Sequence, residues 1–143
     1  MSALNAEGKP AEAWRFVADD EAIGDSAEAI VVSQARFLKE RESLLERNGR
    51  VGVRVAPATD KVEDIAADAP RLALIEVLFP AYRDGRGYSA ARLLRDRYGF
   101  TGDLRAVGDV LEDQIFYMLR CGFTSFEIKS LDAEASLLRS AKT

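Results

Sequence analysis

The sequence predicts an α/β fold: four successive strand–helix units over residues 51–140 form a mostly parallel sheet, preceded by two short strands and a helix. Three observations predict it. Val51, Val53 and Val55 alternate with Gly52 and Arg54, the period-two pattern of a strand. Residues 72–79 are an almost continuous apolar run, as in a central strand covered on both faces. Between and after these segments lie stretches of helical spacing that end in glycine at Gly99 and Gly122. Parallel neighbours need helical crossovers of this kind. Two architectures fit: an open, doubly wound sheet with helices on both faces, or a half-barrel. Both place ligands at the carboxyl ends of the strands.

The elements follow in chain order. Residues 1–12 are small and polar and are expected to be a mobile N-terminus, with residues 13–143 as a single domain. Residues 14–17 and 30–32 are short strand candidates. Ser33 is positioned to cap a helix over 34–47, with Phe37, Leu38, Leu44 and Leu45 at helical spacing and Asn48-Gly49 at its end. After the strand 51–55, Asp60 and Glu63 have capping-box spacing and open a helix to about residue 68. Pro80 stops the central strand. Ser89 is expected to cap a helix over 90–98. A short strand follows at 104–107, then a helix from the Asp109–Glu112 pair to about residue 120. A last strand spans 126–128, and Asp132 caps a terminal helix.

Composition excludes several functions. The chain has 143 residues, 48% of them hydrophobic and 31% charged, enough for one buried core. Its net charge of −4 argues against nucleic-acid binding. No apolar run is long enough to span a membrane, and the first ten residues lack the apolar core of a secretory signal. The single cysteine points to the cytoplasm. With no histidine and one cysteine, the chain holds no Ser-His-Asp triad, no Cys-His pair and no His- or Cys-rich metal set. No nucleotide or flavin fingerprint occurs, so no cofactor is expected.

One segment stands out. Residues 83–105 carry six arginines against three acids in an otherwise acidic chain. Within it, Asp84-Gly85-Arg86-Gly87-Tyr88-Ser89 leaves the central strand and enters a helix. Glycines expose backbone amides, a helix start attracts anions, and Arg86 offers a planar fork. The segment therefore reads as an anion site, or as a surface turn in which Arg86 pairs with Asp84. Arg105, inside a strand, and Asp109, at that strand's carboxyl end, are expected at the same mouth. For Asp109 the role of helix cap is the stronger reading. Glu76 interrupts the apolar run and needs a partner, with Arg54 or Arg105 available, or else works as an acid/base group. Asp84, Asp109 and Glu76 are thus the carboxylates available for acid/base catalysis. Cys121 ends a helix, where the dipole disfavours a thiolate, and reads as structural with only Arg120 beside it.

Phe79-Pro80, the run from Asp84 to Arg95, the run from Gly102 to Leu111, Asp113-Gln114, and Arg120-Cys121-Gly122-Phe123 together resemble the bacterial domain-of-unknown-function family 934 over residues 14–130. The resemblance implies a role in assimilatory sulfite reduction, since family members carry an oxidoreductase label drawn from genes lying beside sulfite reductase. It supplies no catalytic residues. Three readings follow: an accessory protein binding a small anion and docking on sulfite reductase or another sulfur-assimilation enzyme; a small acid/base enzyme; or a homodimeric structural module.

Overall fold

The computed structural model describes residues 3–24, 27–47, 49–80, 85–110 and 112–127. Among the described residues, seven strands form one sheet: β1 (Ala3–Asn5), β2 (Arg15–Phe16), β3 (Ile30–Ser33), β4 (Val51–Val55), β5 (Leu74–Phe79), β6 (Asp103–Gly108) and β7 (Ser125–Glu127). Their order is β1-β7-β6-β5-β4-β3-β2, with β1 antiparallel to β7 and every other pair parallel. From β2 to β7 each strand lies beside its predecessor in sequence. A doubly wound sheet needs a reversal of strand order, and none occurs. With right-handed crossovers this order puts all helices on one face, and the sheet curls as a half-barrel.

The two faces differ in chemistry. Val53, Val55, Ile75, Val77, Phe79, Leu104, Ala106 and Phe126 belong to the core under the helices. Alternate residues point the other way. There the register sets Ser33, Arg54, Glu76, Arg105 and Ser125 in one row across five strands. The concave face is therefore polar at its centre.

The helices depart from expectation in detail. Ser33 does cap the first helix, accepting from the Arg36 N–H at 3.2 Å. The expected helix over 34–47 is split at Glu40, where φ is −116°, into α1 (Gln34–Lys39) and α2 (Arg41–Glu46). Asp60 does not cap a helix: its carboxylate accepts from the Ala56 N–H at 2.8 Å and closes the turn after β4. A 3₁₀ helix, Val62–Arg71, follows. Ser89 lies inside α3 (Arg86–Arg92) rather than at its start, and α3 runs into a π-helical turn, Leu93–Arg97. A short 3₁₀ turn precedes α4 (Ile115–Cys121). Gly122 ends α4 with φ +108°, a conformation that only glycine adopts without strain. The expected terminal helix at Asp132 lies outside the described residues.

The N-terminal segment is tied to the sheet. Ala3–Asn5 pairs with β7 at one edge, and Arg15–Phe16 pairs with β3 at the other. The intervening chain crosses the concave face near the amino ends of the strands. There Glu12 pairs with Arg50, Trp14 lies against Arg50, and the Glu12 carbonyl accepts from Arg105 at 3.0 Å.

Candidate functional site

The end of β5 and the start of α3 are held together by one ring. Phe79 is fully buried and packs edge-on against Tyr88 at 5.2 Å and tilted against Phe123 at 5.8 Å. Gly87 rests on that ring, and a Cβ there would stand 2.4 Å from it. Only glycine allows α3 to begin this close to the sheet. Gly85 and Arg86 are exposed at the carboxyl end of β5, and Asp84 lies outside the described residues.

Beside the start of α3 is a shallow cleft of about 190 Å³. Asp60, Lys61 and Glu63, which follow β4, face Arg86, Ser89 and Leu93 of the α3 segment across it. Two cations, two carboxylates and a hydroxyl thus meet at the carboxyl ends of β4 and β5. Lys61 is the member that sequence reasoning overlooked, because no local pattern links residue 61 to residue 86.

Arg105 is not at this mouth. It shares the concave row with Glu76, whereas α3 packs against the Phe79 face of the sheet. Its Nε donates to Ser125 Oγ at 2.8 Å, and its Nη2 reaches the Glu12 carbonyl and Asp103 Oδ2 at 3.3 Å. Asp103 also accepts from Ser125 and Thr124 at 2.8 and 2.6 Å. At 2% exposure Arg105 is a structural clamp between β6, β7 and the N-terminal segment. Asp109 stands at the carboxyl end of β6, where its N–H donates to the Phe79 carbonyl at 2.7 Å.

Glu76 sits in register with Arg54 and Arg105, and Arg54 Nε donates to its Oε1 at 2.8 Å. The ion pair anticipated for Glu76 is therefore with Arg54. Burial raises the Glu76 carboxyl above its ordinary 4.5, against the pull of Arg54. The folded chain thus keeps this proton where the unfolded chain has released it. Its contribution to stability is complete below pH 4.5 and is lost as pH rises through the raised value. Wild type should lose stability relative to Glu76→Gln over that window. Urea melts of both proteins from about pH 4 to pH 7 check this, and parallel curves would contradict it.

Cys121 is buried. Arg92 of α3 donates from Nη2 to Tyr117 Oη at 3.0 Å, and Arg120 lies over Phe116 at 5.8 Å. Among the described residues, no group of three or more Cys, Asp or Glu side chains could hold a metal, and no helix is long and apolar enough to cross a membrane.

The family model described as "Bacterial protein of unknown function (DUF934)" matches residues 52–143, beginning within β4. No curated protein and no solved structure matches the chain.

Proposed function

Because the chain belongs to this bacterial family of unknown function, we propose that it is a cytoplasmic accessory protein of assimilatory sulfite reduction that binds a small oxyanion in the Arg86 cleft. It acts beside sulfite reductase, which handles the electrons. The observation that carries the reading is the meeting of Lys61, Arg86 and Ser89 in one open cleft at the carboxyl ends of β4 and β5. That is the end of a parallel sheet where ligands bind. Two cations and a hydroxyl suit sulfite, sulfate or a phosphate group. Asp60 and Glu63 line the same cleft and repel an anion, which restricts the ligand to one small enough to stay near Lys61 and Arg86.

The experiment is a melting series with sulfite, sulfate and phosphate on wild type and Arg86→Ala. An anion at about 100 times its dissociation constant stabilises the fold by roughly 2.7 kcal/mol. A rise of several degrees in wild type that disappears in Arg86→Ala is the expected result. No rise with any of the three, or an equal rise in the variant, overturns the reading.

A further inference from the structure

The concave face holds two arginines in different states. Arg105 is 2% exposed, and its Nε and Nη2 are bonded to Ser125, the Glu12 carbonyl and Asp103. Arg54, in the same row, has a side chain that is 25% exposed. Its Nε is anchored on Glu76, and its guanidinium lies 3.9 Å over the ring of Phe16. Its two Nη groups have no hydrogen-bond partner among the described residues. The fork is thus fixed through Nε and stacked on one face, while its outer edge is unused. A guanidinium held in this way loses little freedom when it binds a planar oxyanion through two parallel bonds.

Solvent reaches the Arg54 side chain. The N-terminal segment crosses the concave face near Arg50 and Arg105, towards the amino ends of the strands. Arg54 is the penultimate residue of β4, nearer the carboxyl end. The charges around it are mixed. Glu127 acts on Glu76 across the same face, and Asp19 accepts from Ser33 Oγ, next to Arg54 in the row, at 2.6 Å. Among the described residues this is one available cation among carboxylates, which disfavours a doubly charged phosphate or sulfate. It suits a singly charged carboxylate that also carries hydrogen-bond donors for the acidic rim.

We propose that Arg54 is the anchor of a second binding site, on the concave face, for a small carboxylate bearing a hydroxyl or amino group. The site is on the opposite side of the sheet from the Arg86 cleft and does not depend on it.

The test uses the full chain labelled with ¹⁵N and follows the arginine Nε–Hε resonances, with Arg54 assigned by its loss in Arg54→Lys. The probes are lactate for the hydroxy acids, glycine for the amino acids, and sulfate. The expected result is a saturable shift of the Arg54 resonance with lactate or glycine, and none with sulfate at equal ionic strength. The matching rise in melting temperature disappears in Arg54→Lys, which keeps a cation beside Glu76, and persists in Arg86→Ala. No saturable shift with either carboxylate, a shift with sulfate, or an undiminished melting response in Arg54→Lys overturns the proposal. If Arg54→Lys does not fold, selective ¹⁵N labelling and a Phe16→Leu variant identify the resonance, and the wild-type titration still decides.

Discussion

Arg105→Ala should lower the stability of the fold by about 3–4 kcal/mol, the largest loss expected from any concave-face residue. Arg105 is among the largest fully buried side chains of the protein. Truncation leaves a cavity in the β6–β7 layer and removes the bond to the Glu12 carbonyl. Asp103 keeps its hydroxyl donors from Thr124 and Ser125 and is 30% exposed, which holds the cost below that of a fully stranded charge. For a chain of this length the loss corresponds to a fall of roughly 10 °C in Tm. Arg105→Lys retains the charge but not the fork, and should recover only part of the loss. Urea melts give the free energy, and hydrogen exchange at Ala3–Asn5 should accelerate as the N-terminal segment is released. A loss below about 1 kcal/mol would show that Arg105 does not clamp that segment.

Phe79→Ala should cost about 3–5 kcal/mol, as expected for a buried phenylalanine. The ring carries contacts that no neighbour replaces: Tyr88 on α3, Phe123 after α4, and the bare Cα of Gly87. Its removal also frees the start of α3, so Arg86 and Ser89 lose their fixed spacing from Lys61. The variant should therefore lose the oxyanion response of the Arg86 cleft even at temperatures where it remains folded. Phe79→Leu, which fills most of the space, should lose less stability and retain the response in part. Calorimetry with and without sulfite separates the two effects. A Phe79→Ala protein that stays folded and responds to anions like wild type would mean that the ring does not position the cleft.

Both residues show what local pattern conveys and what it leaves out. Arg105 between Leu104 and Ala106 is visible in the sequence as an arginine in a strand, and its need for partners follows from the cost of burying a charge. Of its partners only Asp103 is near in sequence; Ser125 and Glu12 are not visible, because they lie 20 and 93 residues away. The same holds for Arg54. Its place in Val51-Gly52-Val53-Arg54-Val55 carries the same signal as Arg105, yet Phe16 comes to it only through the pairing of β2 with β3. Conversely, Asp60 has the spacing of a capping box but spends its carboxylate on the Ala56 N–H, since the turn after β4 needs an acceptor before a helix can begin.

The sequence by itself determined the alternation of strands and helices from Val51 to Gly122, the apolar face of each element, and the glycines that end the helices at residues 99 and 122. These properties depend on neighbours a few residues apart, so they are written in local periodicity and backbone preference. It also placed an exposed glycine–arginine turn at the carboxyl end of the central strand. Only the tertiary structure decided that strands follow one another in sequence order around a half-barrel, and that β1 and β2 take its two edges. The same pairing put Arg105 and Arg86 on opposite faces. Strand order and register are set by long-range hydrogen bonds, and a single sequence carries no local record of them. Shifting one strand by one residue would exchange its two faces, so which arginine stands at the carboxyl ends of the strands and which is buried against the N-terminal segment was settled by pairing alone.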